Sequence, residues 1–197
     1  MKKLTHKSNG IEQTGTLNIF QRHSNGLDVE ESTKTIIFKN IFGEIEDYDK
    51  YKFYPLVGEI LQELGFNCQI TRDGDSNNRS DGYIIDEVHS VPIEIKSPTE
   101  VLAINNKSVR QAVENKVVLL SRKFYNTTIE TTSLVIGYLY PTERSGVLDL
   151  IDDVKKAYGF SIGIISFEAL LICLWNKYYQ NKELDKNIIL TLNGRLF

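Results

Sequence analysis

The sequence predicts an α/β fold, a central mixed β-sheet flanked by helices on both faces. Three observations carry that expectation. From about residue 47 onward, apolar residues recur at helical and strand-like spacing in alternating segments. Ser133 to Tyr140 and Phe160 to Ile165 are almost wholly apolar, as strands covered on both faces are. Between them and the first helix lie two shorter strand-like runs, about 82–87 and 91–97, joined by a tight turn near Val88 to Ser90.

The elements follow in order. Residues 1–46 read as a polar N-terminal arm or extension, rich in Gly, Asn, Ser and Thr over 1–34, with one short strand from Leu17 to Phe20. Residues 35–42 fit either a strand or a turn of helix, since periodicity cannot decide over so short a run. Asp47 or Asp49 can cap a helix to about Leu64, whose apolar stripe is Leu56, Val57, Ile60, Leu61 and Leu64, with Gly65 as its C-cap. Phe66, Cys68 and Ile70 alternate as a half-buried strand. Residues 72–80 are a polar loop. A helix spans 107–124, another 146–158 ends at Gly159, and Ser166 can cap a last long helix. The segment NIILTL near the C-terminus is ambiguous. The working division is therefore 1–46 and a domain at 47–197, and the order of elements implies a sheet sandwiched by helices.

A chain of 197 residues with 41% hydrophobic and 25% charged residues is long enough, and ordinary enough, for one globular core. No apolar run is long enough to span a bilayer, and the lysines near the N-terminus precede no apolar stretch of the secretory kind. The two cysteines, Cys68 and Cys173, sit in apolar segments without zinc-ligand spacing. Both are expected as buried thiols, which fits a cytoplasmic protein. The formal net charge of −3 argues against a chain that grips nucleic acid over its whole surface.

The chemistry is concentrated in SDGYIIDEVHSVPIEIKSPTE, residues 80–100. On a strand, Val91, Ile93 and Ile95 point one way and Glu94 and Lys96 the other, side by side. Asp81 opens the neighbouring strand. It joins the Glu94 face if an even number of residues links the strands, and leaves it if the number is odd. Two carboxylates with a lysine beside them suit phosphodiester hydrolysis. The carboxylates and the Ile95 carbonyl can hold Mg²⁺, which prefers oxygen ligands, and the lysine can position water and offset charge on the phosphate. An E-x-K on a strand is also a common solvated ion pair, and Asp-Gly a common turn. The bare pattern leaves both readings open.

Ser80-Asp81-Gly82 followed by Glu94-Ile95-Lys96 resembles the signature of the PD-(D/E)xK nucleases, with Ser80 in the usual proline position. The order of elements from residue 47, with a helix ending in Leu-Gly-Phe, a Lys96-Ser97 strand end and a later Ser-Phe-Glu-Ala-Leu-Leu helix, is similar to the cleavage domain of FokI-like type IIS restriction endonucleases. Residues 1–46 lie outside the likeness. The resemblance implies a restriction-endonuclease-like fold and cutting of double-stranded DNA with Mg²⁺, or Mn²⁺ in its place. It also implies cutting by paired catalytic modules. Carried over by position, Asp81 and Glu94 are metal ligands and Lys96 the catalytic lysine. A glutamate on the first helix often joins them, so Glu59, and next Glu63, are candidates. Gln111 can approach the scissile phosphate or be a plain surface residue, and Ser97 can orient Lys96 or only end the strand.

No DNA-reading motif is visible, so a separate recognition subunit or domain is expected as a partner. Dimerisation is expected through the 107–124 helix, where Arg110 and Glu114 lie one turn apart. Arg72, Arg79, Lys96, Lys107 and Arg110 can form a basic rim. Asp73 and Asp75 are turn formers or metal attractors. His6, His23 and His89 form no catalytic group, with His89 expected in solvent, and Trp175, Tyr178 and Tyr179 are expected as core and helix surface. The alternatives are a repair or recombination nuclease of the resolvase or transposase type, or an inactive nuclease-like assembly subunit.

Overall fold

The computed structural model describes residues 18–71, 80–87, 89–122 and 126–197. A six-stranded sheet runs in simple order, β1 (Cys68–Ile70), β2 (Gly82–Ile84), β3 (Val91–Lys96), β4 (Ser133–Gly137), β5 (Ile162–Ser166) and β6 (Gly194–Arg195). β1, β2 and β3 are antiparallel neighbours, and β3 to β6 are parallel. The expected mixed sheet is thus present, and its change of direction falls at β3, the strand of Glu94 and Lys96.

Helices cover both faces. α1 (Asn18–Arg22), α2 (Lys34–Ile45), α3 (Lys50–Glu63), α6 (Phe167–Tyr179) and α7 (Lys186–Leu190) bury their apolar residues with Ile93, Ile95, Leu134 and Ile136 in the larger core. α4 (Asn106–Ser121) and α5 (Val147–Tyr158) close the opposite face over Val135, Ile162 and Ile164. The two clusters use alternate residues of the same strands, as the period of a strand requires. Asp49, Asn105 and Ser166 cap α3, α4 and α6 by accepting backbone N–H groups, and Gly159 ends α5 in the left-handed conformation. The ambiguous run NIILTL forms most of α7, and β6 follows after it.

Two expectations about the N-terminal region change. The strand at 17–20 is not found: residues 18–22 are helical, and Ile19 and Phe20 are buried in the larger core. The buried His23 fastens this turn, with one ring nitrogen on the Ile19 carbonyl and the other on Glu44 of α2. Nor does packing break at residue 46. Ile37, Ile41 and Ile45 of α2 lie in the same cluster as Phe53 and Val57 of α3, because α2 presents them at helical spacing. Phe20, Phe38, Trp175 and Tyr179 form an aromatic cluster joining this segment to α6. The Trp175 indole N–H donates to Glu31 at 2.8 Å.

Cys68 and Cys173 are buried, and burial pushes their thiols up to about 12 and about 11. His89 is half-buried instead of solvated, with Nδ1 3.3 Å from the Thr131 hydroxyl. No helix among the described residues is long and apolar enough to cross a membrane. Arg72, Asp73, Asp75, Arg79, His6 and the turn residue Val88 lie outside the described residues.

Candidate active site

The strand register decides the first question. Gly82 faces Ile93 and Ile84 faces Val91, with six residues, 85–90, between the strands. The even count continues the register to Asp81 opposite Glu94. Asp81 therefore shares the Glu94 face, as the spacing required. β2 does not extend this far, so on that side Ile95 has no strand residue beside its backbone. Its N–H donates to the Asp81 carboxylate at 2.8 Å, and its carbonyl accepts the Tyr54 hydroxyl at 2.7 Å.

Glu94 is only 3% exposed. One of its oxygens pairs with the Lys96 ammonium at 2.7 Å, and the other accepts from the Asn115 side-chain amide at 2.9 Å. Asn115 is itself buried on α4, the helix that packs over this face. Beside Lys96 in the register is Gly137, where an added Cβ would come within 2.6 Å of the Ile104 side chain. The glycine lets Ile104 close on the sheet next to the lysine.

The electrostatics follow from this crowding. Burial first, and then the charge of Glu94, pushes the Asp81 carboxyl up to about 7, against the help of the Ile95 N–H and Lys96. Burial opposes the charge on Lys96, but Glu94, joined by Asp81 and Glu100, holds the ammonium above its ordinary value. Tyr54 is held well above the usual tyrosine range by burial and then by Asp81, Glu100 and Glu94, so its hydroxyl keeps its proton. The site holds more carboxylates than cations.

A third carboxylate is present, but it is not the one expected. Glu100 faces the same group of charges, and Asp81, Lys96 and Tyr54 all feel it. Burial works against its ionised form, yet hydrogen bonds from the Ser97 N–H, the Ser97 hydroxyl and Tyr54 hold it below the usual carboxylate range. The structure does not bring Glu59 to the trio. It is exposed on α3, five residues past Tyr54, which on a helix is about 140° around the axis. Glu63 is committed elsewhere, accepting from Tyr178 of α6, while its carbonyl accepts from Lys177. Ser97 acts on Glu100, not on Lys96. Gln111 is half-buried one turn before Asn115, with its side-chain oxygen buried and unpartnered. Lys107 and Arg110 are exposed on α4, so the rim expectation keeps these two outward-facing members.

Tyr54, Glu100 and Asn115 went unseen in the sequence. Glu100 had a signal: Ser97-Pro98-Thr99-Glu100 is a capping-box pattern, in which the glutamate reaches back to the serine N–H. Tyr54 and Asn115 had none, because each meets the site only through tertiary packing.

The donor set fits a hard divalent cation. Asp81, Glu94 and the Ile95 carbonyl offer oxygen only, and the carbonyl keeps a second lone pair beyond the one Tyr54 uses. No group of three or more acidic, histidine or cysteine residues forms a cage among the described residues. That is compatible with Mg²⁺, which keeps several waters and seldom uses an all-protein cage.

No family model and no curated protein matches the chain. Among solved structures it is similar to one titled as the structure of restriction endonuclease FokI, with a TM-score of 0.55 and 12% identity. The match covers 93% of this chain and 34% of that one, so the chain spans about a third of its structural neighbour. At that identity the likeness is one of fold: the α/β architecture is restriction-endonuclease-like.

Proposed function

We propose that this chain is a Mg²⁺-dependent endonuclease that hydrolyses phosphodiester bonds of double-stranded DNA. In this reading it is the cleavage module or subunit of a type IIS restriction endonuclease. The observation that carries the reading is the register that sets Asp81 opposite Glu94, with Lys96 in contact with Glu94. An ordinary surface ion pair would not hold a second buried carboxylate against the first at the cost of pushing it up to about 7.

Asp81, Glu94 and the Ile95 carbonyl would hold the ion, which when bound lowers the pKa of water and offsets charge on the phosphate. Lys96 stays charged beside Glu94, where it can orient water and stabilise negative charge at the reacting phosphate. Asn115 keeps Glu94 aimed, and the Ile95 N–H keeps Asp81 aimed. Cutting two strands calls for two such sites, so paired modules on DNA belong to the proposal, with α4 as the face that carries Arg110 and Glu114. A recognition subunit or domain as partner also belongs to it, since the net charge of −3 gives the chain little general grip on DNA.

The test is nicking of supercoiled plasmid with Mg²⁺, by the chain alone and with its partner. Asp81→Ala and Lys96→Ala should each lower cutting by two orders of magnitude or more while the circular dichroism stays unchanged. Undiminished cutting by both variants would refute the assignment.

A further inference from the structure

We infer that Tyr54 and Glu100 form a positioning pair for the Ile95 carbonyl, serving the cation site proposed above. The starting observation is a mismatch in hydrogen-bond count. The Tyr54 hydroxyl has one proton and two acceptors, the Ile95 carbonyl at 2.7 Å and the Glu100 carboxylate at 3.0 Å. The same Glu100 oxygen is fixed from its other side by the Ser97 N–H at 3.0 Å and the Ser97 hydroxyl at 2.9 Å. Glu100 is therefore a prepared second acceptor, held in place without help from the tyrosine.

Tyr54 donates to the carbonyl and keeps a backbone group at the end of the sheet from going unpaired. The carbonyl's second lone pair would remain for a cation, so Tyr54 would hold the carbonyl aimed while the ion shared it. Glu100 would in turn hold the tyrosine hydroxyl at the carbonyl. Tyr54 reaches the site from α3, on the face of the sheet opposite α4, so the carbonyl is braced from the side that Asn115 and Glu94 do not control. Tyr54 and Glu100 touch neither substrate nor ion in this scheme. They act through Ile95, as outer partners of metal ligands commonly do.

The test measures Mn²⁺ binding by titration calorimetry on the full chain, without DNA. Tyr54→Phe and Glu100→Gln should each weaken Mn²⁺, by about tenfold in the range usual for such partners. The double variant should be no weaker than the worse single one, because the two residues act as a unit. Tyr138→Phe is the control, since its hydroxyl also donates to a backbone carbonyl, that of Phe42, at 3.0 Å. It should bind Mn²⁺ like the wild type. Weakening of less than threefold in Tyr54→Phe, or additive losses in the double variant, would overturn the pairing. Should Tyr54→Phe fail to fold, Glu100→Asp, which keeps the charge but shortens the reach to Tyr54, decides by the same threefold limit. A wild-type chain that takes up no Mn²⁺ would overturn the cation site itself and the pairing with it.

Discussion

Asp81→Asn should make the metal-free protein more stable at pH 8, although it removes a residue proposed for catalysis. The carboxyl is pushed from an ordinary 3.8 up to about 7 by burial and by Glu94. At roughly 1.4 kcal/mol per decade this amounts to about 4 kcal/mol, and water reaching the half-buried group reduces it to about 2–4 kcal/mol. The sign is the reverse of the usual aspartate. Below pH 4 the group is protonated in both folded and unfolded chains, and it costs nothing. Between pH 4 and 7 the unfolded chain has lost the proton and the folded chain still holds it, so stability falls as pH rises. Above pH 7 the full cost is present. Asparagine is isosteric, can still accept the Ile95 N–H, and carries no charge.

The assay is thermal or urea unfolding of wild type and Asp81→Asn in chelator at pH 4, 6 and 8. The two proteins should match at pH 4 and separate progressively, with the variant ahead at pH 8 by roughly 5–15 °C for a chain of this size. Adding Mg²⁺ should raise the wild type and leave the variant where it was, because binding to the folded state alone stabilises it. A variant less stable than wild type at pH 8, or a gap that ignores pH, would refute the claim that Asp81 sits in an unfavourable field.

Two other changes probe the supports of the site. Asn115→Ala leaves a buried Glu94 oxygen without its donor and should lower unfolding stability by about 1–3 kcal/mol, read from urea midpoints at constant slope; an unchanged midpoint would show that Asn115 does not hold Glu94. Lys116 is fully buried, donates to the Thr127 hydroxyl and the Thr128 carbonyl, and is pushed by burial down to about 8. Its proton is bound more weakly in the folded chain, so the stability of wild type relative to Lys116→Met should rise between pH 8 and 10.5, by the order of 3 kcal/mol, and a flat difference would sink the assignment.

How much of this was legible in the sequence depends on whether the signal is local. The α3, α4, α5 and α6 helices were readable because caps and an apolar stripe are encoded within a dozen residues, as Asp49 and Ser166 show. The pairing of Glu94 with Lys96 was readable because strand period alone fixes it. Asp81 was readable conditionally, through the parity of one loop. The N-terminal segment was not readable. Its first helix is a single five-residue turn too short to show a period, and Ile19 and Phe20 become core only by meeting α2 and α6. Glu59 failed for a related reason: a helix offers several glutamates, and only the rotation of α3 against β3 decides which side chain reaches the sheet. That rotation delivers Tyr54.

The position of the site at the end of β2 has a physical logic. In the interior of a sheet every backbone N–H and C=O is consumed by a neighbouring strand, and none is available to side chains or ligands. β2 begins only at Gly82, one residue after the position where the register sets Asp81 opposite Glu94. Ile95 therefore keeps two backbone groups that need partners, in a strand whose side chain is anchored in the core at 0% exposure. The N–H fixes Asp81, and the carbonyl is held by Tyr54 with a lone pair to spare. A longer β2 would satisfy Ile95 by strand pairing and would take away both the brace on Asp81 and the free oxygen. The late start of β2, at Gly82, is what turns a rigid strand edge into a place where charges can be gathered.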